Sequence, residues 1–185
     1  MIKEHEFKLL KEAGKGDAQA FEQLYEATNR RVFQYLCRFT NDRYLAEDLT
    51  MDTYAEVWKS AGRFRGESKV ATWMIGIARN MAMNEFRKNN KMRTQELDEG
   101  MSEPPAQFHA CAGTETTEIL AEALNRLPIS HREILDLVFL QGMNYEDISH
   151  IVDIPLNTVK TRVFYAKEKL RNTLCFMGVT KDDLI

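Results

Sequence analysis

The chain has little of what fibrous, low-complexity or disulfide-bonded proteins are built from. Nine glycines and four prolines among 185 residues exclude collagen-like and repetitive architectures. The three cysteines, Cys37, Cys111 and Cys175, are widely separated and odd in number, which does not fit a disulfide framework, and none belongs to a Cys-x-x-Cys pair. His109 and Cys111 alone are too few ligands for a structural metal. We therefore expect no metal and no cofactor.

Long hydrophobic runs are also missing. No uninterrupted apolar stretch approaches the ~18–20 residues that a membrane span needs. The first residues, Met1 to Glu6, lack the apolar segment of a secretory signal. The sequence thus predicts a cytoplasmic protein with no direct membrane insertion, and its 44% hydrophobic and 29% charged residues are typical of a folded chain.

The net charge of −3 conceals an uneven distribution of charge along the chain. Residues 78–93 and residues 157–172 each contain five basic residues and one acidic residue, whereas residues 94–122 contain seven acids and no Lys or Arg. Local charge decides where a nucleic-acid phosphate can bind. Two basic segments therefore flank an acidic one, and both basic segments are candidates for contact with nucleic acid.

Apolar residues recur at three- and four-residue spacing through most of the chain, which predicts an all-α protein. Helices are expected over 18–39, with Asp17 as N-cap, over 43–60, and from about Ser68 to Asn90 with an inward stripe of Val70, Trp73, Met74, Ile77 and Met81. A glycine-bounded loop covers 61–68. Periodicity then stops until about Glu118, because acids, Thr, Gly and Pro-Pro cannot build a core. We predict two small helical domains, 1–93 and 118–185, joined by a flexible acidic linker over 94–117.

The second half carries a helix-turn-helix pattern. Residues 145–152 form a short amphipathic helix, residues 153–155 a turn, and Leu156 opens a second helix that buries Val159, Val163, Ala166 and Leu170. Its outer face combines cations, hydroxyls and adjacent aromatics, which suit a DNA major groove better than a merely solvated surface. The candidate DNA-binding residues here are Asn157, Thr158, Lys160, Thr161, Arg162, Phe164, Tyr165, Lys167 and Arg171.

A second constellation lies in the first half. Amides and cations repeat along the third helix, and the preceding loop places Phe64 between Arg63 and Arg65. Stacking rings beside cations favour unpaired nucleotides. For Trp73, packing in the core is favoured over contact with nucleic acid. For Phe64 and Asn80, a purely structural role and a role in binding both stay open. The candidate residues for single-strand binding are Arg63, Phe64, Arg65, Asn80, Asn84, Arg87, Lys88 and Lys91.

The motifs in both halves closely resemble bacterial extracytoplasmic-function (ECF) sigma factors of the sigma-70 superfamily. The resemblance covers about residues 15–92 and 118–174, in the family's order and with the linker in the family's place. The second conserved region is matched by Ala46–Tyr54, Val57-Trp58, Phe64–Ser68, Thr72-Trp73 and Ile77–Asn80. The fourth is matched by Leu127-Pro128, Arg132-Glu133, Gly142–Ile148 and Ile154–Arg162.

The resemblance implies a non-enzymatic factor that binds core RNA polymerase and directs it to promoter DNA. It implies that the first domain opens and reads the −10 element as single strand, and that the second reads the −35 element as duplex while lying on the β flap. The acidic linker resembles the segment threaded through the polymerase RNA path, and a dedicated anti-sigma factor is an expected partner. The residues expected to dock on the β′ clamp helices are Glu47, Asp48, Leu49, Asp52, Glu56 and Trp58.

Three positions depart from the family pattern, one of them Thr161, where many relatives carry Ser, and three other functions compete with this interpretation. Met51 stands where Gln is common and Tyr165 where many relatives carry Arg, so no relative's promoter sequence is transferable. A free-standing helix-turn-helix repressor or activator explains residues 145–171 but not the acidic helix, the aromatic loop or the linker. A pure interaction module leaves both basic faces unused. An enzyme acting on a small-molecule substrate is disfavoured, because no Gly-rich phosphate loop, His-Glu-x-x-His pair or nucleophile elbow occurs.

Overall fold

The computed structural model describes the backbone of residues 2–96 and 115–179, and the side chains of residues 4–88 and 119–179. Within these ranges every regular element is helical, so the all-α prediction is confirmed. A 3-10 turn spans Ala61–Arg63 and a π-helical turn spans Asp136–Leu140. The helices are α1 Ile2–Ala13, α2 Ala18–Thr40, α3 Arg43–Ser60, α4 Val70–Glu96, α5 Glu115–Asn125, α6 Ile129–Leu135, α7 Tyr145–Val152 and α8 Leu156–Phe176.

The chain divides into two compact units, an N-terminal unit up to Pro105 and a C-terminal unit from Ala106. The division falls inside the segment predicted to be an acidic linker. Residues 97–114, the greater part of that segment, lie outside the described residues, so the linker and its limits stay a prediction. None of the described helices has the length and apolar character that a bilayer crossing demands.

Short polar side chains set the limits of α2 and α3. Asp17 Oδ1 accepts hydrogen bonds from the amides of Gln19 and Ala20 at 2.9 and 3.0 Å, which satisfies two donors that a helix start leaves unpaired. Asn41 ends α2 in the left-handed conformation with φ of 58°, and Asp42 caps α3 by accepting from the Leu45 amide at 3.1 Å. The predicted start of α2, its cap and the limits of α3 are therefore confirmed.

The core of the N-terminal unit lies between α2, α3 and α4. Leu24, Leu36, Val57 and Met74 are completely buried. A buried polar contact joins α2 and α3, where the Tyr54 hydroxyl lies 2.7 Å from Thr28 Oγ1. Burial raises the pKa of Tyr54 well above its usual value, more than the Thr28 hydrogen bond lowers it, so this hydroxyl stays protonated.

The predicted inward stripe of α4 needs a correction. Val70 and Met74 are buried, but Trp73, Ile77 and Met81 are only half-buried. Ile75 is completely buried instead, together with Ala71, Ala78 and Ala82. The alanines explain the error, because a face of small residues that packs closely against neighbouring helices carries less hydrophobic signal than a face of large ones. The helix also begins two residues later than predicted and extends to Glu96 rather than Asn90.

The sequence analysis missed α1. This helix packs against α2 through Leu9, Leu10 and Ala13, which are all buried. It also approaches the turn after α3. A β-carbon built on Gly14 would lie 2.7 Å from the Gly62 nitrogen, so only glycine lets the two backbones come this close. The helix α1 is therefore an integral part of the N-terminal unit.

The C-terminal unit is built on the predicted helix-turn-helix. Asn144 caps α7 by accepting from the Asp147 amide at 2.6 Å, and Asp153 ends it in the left-handed conformation with φ of 57°. The Ser149 hydroxyl donates to the Ile154 carbonyl at 2.6 Å across the turn. Helices α7 and α8 begin at the predicted residues, whereas α5 begins at Glu115 rather than Glu118 and the π-helical turn was not predicted.

Candidate nucleic-acid interface

Helix α8 has one buried face and one exposed face. Val159, Val163 and Ala166 are buried against the rest of the C-terminal unit, as predicted, and Leu170 is half-buried. The opposite face exposes eight of the nine candidate DNA-binding side chains, including both aromatics. Phe164 is 64% exposed and Tyr165 55% exposed, with their rings edge-on and 5.5 Å apart. An apolar pair this exposed beside cations has the chemistry needed to contact thymine methyl groups and phosphates together.

Local contacts restrict some of the candidates on α8. The Thr161 hydroxyl donates to the Asn157 carbonyl at 2.9 Å, which leaves its oxygen as an acceptor. The Lys167 ammonium lies 4.9 Å from the centre of the Phe139 ring, a cation–π contact that holds it over one side of the helix. Arg162 is half-buried, whereas Lys160 and Arg171 are exposed. Lys160, in the second turn of α8, is thus well placed to contact a base.

A shallow groove lies beside this face, and positive charges near it act on the one histidine in its lining. His131, Tyr165, Glu168, Lys169 and Asn172 line it. Burial, and then the positive charges of Lys169 and Arg162, lower the pKa of His131 below its usual value. The imidazole is therefore neutral at neutral pH, and a phosphate bound nearby would raise its pKa.

The loop after α3 presents two arginines and partly covers an aromatic ring. Arg63 and Arg65 are exposed, and the ion pairs seen for them among the described residues are long, 3.6 Å to Glu56 and 3.9 Å to Glu67. Such pairs contribute little and leave both guanidinium groups accessible. Phe64 is half-buried, with ring centres 5.0 Å from Trp73 and 6.0 Å from Phe7. We call Phe7, Phe64 and Trp73 the aromatic cluster. Phe64 therefore packs against other protein side chains, and its predicted contact with DNA stays a prediction.

The polar stripe of α4 is accessible to solvent. Asn80, Asn84, Arg87 and Lys88 are all exposed. Arg87 Nη1 donates to Asn84 Oδ1 at 3.3 Å, and Lys88 Nζ lies 3.2 Å from Glu85. Successive amides on one helix face can donate to and accept from base edges, with the cations beside them for the backbone. The side chain of Lys91, the last candidate on this helix, lies outside the described residues.

Most of the predicted docking residues on α3 lie on one acidic surface, which we define as Glu47, Asp48, Asp52 and Glu56. The first three are exposed and Glu56 is half-buried. Arg43 Nε lies 3.0 Å from Glu47, and Arg63 is the other basic partner seen for these acids in the described structure. The surface is therefore predominantly negative.

The side chain of Leu49, one of the predicted docking residues, does not lie on the acidic surface. Leu49 is only 5% exposed, because it lies on the inward face of α3 with Thr53 and Val57. Trp58 is 39% exposed, and its indole packs edge-on against Phe21 with ring centres 5.0 Å apart. The sequence analysis did not select Tyr44, which is 81% exposed, although an aromatic side chain among acids at the helix start was a usable signal.

Comparisons with known proteins agree with both units. Residues 24–92 match the family model of sigma-70 region 2, and residues 117–170 match that of sigma-70 region 4. The chain is 30% identical to the ECF RNA polymerase sigma factor SigM of Bacillus subtilis over 81% of this chain and 92% of SigM. It is 26% identical to the RNA polymerase sigma-H factor of Pseudomonas aeruginosa over 94% of this chain and 96% of that protein.

Solved structures share the fold. The sigma factor RpoE of Bartonella quintana, in complex with the anti-sigma factor NepR, matches with a TM-score of 0.73 and 27% identity over 85% of this chain and 98% of RpoE. CnrH, in complex with the cytosolic domain of CnrY, matches in fold with a TM-score of 0.66 and 19% identity, over 92% of this chain and 97% of CnrH. The motifs, the helical units and these relatives identify the chain as a member of the ECF RNA polymerase sigma factors, a non-enzymatic class that binds core RNA polymerase and promoter DNA for transcription initiation.

Proposed function

We propose that this protein reads promoters in two different physical states, the −35 element as duplex through α8 and the −10 element as melted strand through the 61–68 loop and α4. One observation carries the proposal. Each unit exposes cations next to side chains of the kinds that can contact bases, namely aromatic and hydroxyl groups on α8 and amides on α4. A repressor that reads duplex DNA alone needs only the first of these faces.

The exposed face of α8 has the chemistry of a major-groove reader. A recognition helix enters the groove with its N-terminal turns against the base edges, where Lys160 and Thr161 lie. Lysine donates to guanine O6 and N7, and an exposed phenylalanine such as Phe164 contacts a thymine methyl. Arg171, further along the helix, is available for a phosphate. The −35 element is thus read directly and as a duplex.

The loop and α4 suit unpaired bases. A base removed from the duplex loses its stacking and exposes its Watson–Crick edge, so it needs an apolar wall and paired donor–acceptor groups. The aromatic cluster supplies the wall, Asn80 and Asn84 supply amides, and Arg63 and Arg65 supply charge for the backbone. These groups lie on one unit, so they act together on one short stretch of strand.

The acidic surface on α3 is proposed as the contact with the β′ clamp helices of core polymerase. Its exposed carboxylates complement a basic partner, and the exposed Tyr44 and Met51 add apolar area beside them. Met51 replaces the Gln common in the family and is 67% exposed, so the local contact changes from a hydrogen-bonding one to an apolar one. The C-terminal unit is proposed to lie on the β flap.

Reversing one charge of this surface is expected to weaken the complex with core polymerase. Asp52→Lys replaces an exposed carboxylate with a cation facing a basic partner, and we expect a loss of about 1–3 kcal/mol in binding free energy, from lost attraction and added repulsion. Fluorescence anisotropy of the labelled factor titrated with core polymerase measures it. Glu22→Lys, the same change at an exposed position on α2, is the control and is expected to bind normally. Equal losses in the two variants would point to net charge rather than to this surface.

An anti-sigma factor is proposed as a regulatory partner. The solved relative RpoE is bound to the anti-sigma factor NepR, and its similarity extends over 85% of this chain. The exposed aromatics Phe164 and Tyr165 provide apolar area of the kind an inhibitor protein covers when DNA is absent. Such an inhibitor would mask the DNA-reading and polymerase-binding surfaces until it is removed.

The experiment that tests the proposed function is run-off transcription with core polymerase, with and without this protein, on promoter fragments from the host genome. New discrete transcripts that need the protein are the expected result, because it supplies the promoter-reading surfaces. Inactive holoenzyme, combined with tight specific binding of duplex DNA by the protein alone, would overturn the proposal and favour a free-standing repressor or activator.

A further inference from the structure

Helix α1 lies outside the part of the chain that matches sigma-70 region 2, which begins at residue 24. It nevertheless packs on the 3-10 turn that forms the first part of the 61–68 loop and on α4, which follows the loop. A helix that contacts both supports of a nucleotide-reading loop is in a position to control the geometry of that loop.

Two contacts join α1 to the loop. At the start of the loop, the backbones of Gly14 and Gly62 approach so closely that a β-carbon on Gly14 would lie 2.7 Å from the Gly62 nitrogen. At the far side, Gly66 has φ of 76°, and a β-carbon there would lie 3.1 Å from Phe7 Cε2. The Phe7 ring therefore covers the glycine turn and also contacts Phe64.

The Phe7 contact holds a loop that has few other restraints on this side. Arg63, Arg65 and Glu67 are exposed, and their ion pairs are long enough to exert little hold on the backbone. Phe7 itself stays 41% exposed, so much of its ring is not needed to fill the core. Its ring packs on Phe64 and lies over Gly66, which indicates a role in placing the loop.

We infer that Phe7 is a positioning residue for reading the −10 element. It clamps the Gly66 turn and sets Phe64 against Trp73, so that the wall for an extruded base is formed before the DNA melts. A preformed wall lowers the ordering cost that binding otherwise carries. The inference rests on the proposed single-strand reading by this loop and adds to it the helix that arranges the loop.

The test compares the binding of holoenzyme to two DNA probes. The holoenzyme is made from core polymerase and the full chain, and both probes carry the sequence of a promoter identified by run-off transcription. One probe is a duplex with the −35 element alone, and the other is a fork whose −10 non-template strand is single-stranded. Phe7→Ala is expected to raise the Kd for the fork about fivefold and to leave the Kd for the duplex unchanged. Phe7→Tyr, which keeps the ring, is expected to restore fork binding to within about twofold, and Lys8→Ala, an exposed neighbour, to have no effect.

A spectroscopic measurement separates positioning from a general loss of stability. With Trp58→Phe as background, Trp73 is the sole tryptophan and reports directly on Phe64, 5.0 Å away. Phe7→Ala is expected to shift the emission of folded protein, and Phe7→Tyr to reverse the shift. Phe7→Leu, which keeps apolar bulk without the ring, serves if the alanine variant fails to fold, with the same selective loss on the fork expected.

Two results overturn the inference, and a third bears on the proposed function instead. Unchanged fork binding by folded Phe7→Ala or Phe7→Leu, or equal losses on both probes in either variant, would show that Phe7 does not position the loop. If wild-type holoenzyme bound fork and duplex equally, the proposed reading of the −10 element as single strand would itself be wrong. This comparison needs only the wild-type protein, so the two failures are distinguishable.

Discussion

Ile75→Ala is expected to lower the free energy of unfolding of the N-terminal unit by about 2–5 kcal/mol. Ile75 is completely buried on α4, so the truncation removes apolar contacts and leaves a cavity that the surrounding helices fill only in part. Urea unfolding followed by tryptophan fluorescence measures the change. Both tryptophans, Trp58 and Trp73, lie in the N-terminal unit, so the signal reports on that unit alone.

Ile77→Ala is the matched control for this experiment. It makes the same chemical change two residues along the same helix, at a side chain that the hydrophobic pattern placed in the core and the structure leaves half-buried. We expect a loss clearly smaller than that of Ile75→Ala, because less area is removed from the interior. A larger loss for Ile77→Ala than for Ile75→Ala would contradict the observation that α4 buries the face that carries Ile75.

Lys160→Ala is expected to cost about 1–3 kcal/mol of holoenzyme binding at promoters that carry the preferred base in the −35 element, and much less at promoters substituted there. The physical reason is that an exposed lysine near the start of a recognition helix reaches a base edge, and losing that pair removes discrimination at one position. Binding to a panel of single-base −35 variants measures it.

Lys167→Ala separates base reading from phosphate binding. Lys167 lies further along α8, with its ammonium over the Phe139 ring. We expect its removal to lower the affinity for all −35 sequences by a similar factor and to reduce the salt dependence of binding. If Lys160→Ala also lowered the affinity for every −35 sequence equally, Lys160 would be a phosphate contact, and the −35 preference would arise from other residues of the helix.

The local architecture was predictable because its determinants are contiguous. Asp17, Asp42 and Asn144 each pair with amides two or three residues later, so helix starts are encoded within a few positions. The turn between α7 and α8 is similarly local, and the burial of Val159, Val163 and Ala166 follows from their spacing. The identity of the family rests on the same ordered motifs.

The positions of side chains that depend on distant partners were not predictable in the same way. Leu49 belongs to a motif that resembles a polymerase contact, yet the side on which it lies is set by the packing of α3 against α2 and α4. For Phe64, periodicity says nothing about whether a loop ring stacks on DNA or on the protein. Contacts with Phe7 and Trp73, from helices before and after it, decide that it is half-buried.

By itself, the sequence determined that the protein is all-α, the limits of α2, α3 and α7 and the start of α8, that two segments are rich in basic residues, and which family it resembles. Only the tertiary structure decided that Ile75 rather than Ile77 fills the core, that Leu49 is withdrawn from the surface, and that α1 closes over the 61–68 loop. The physical reason is range. Capping and periodicity act within one or two helical turns, whereas burial depends on how segments distant in sequence pack against one another.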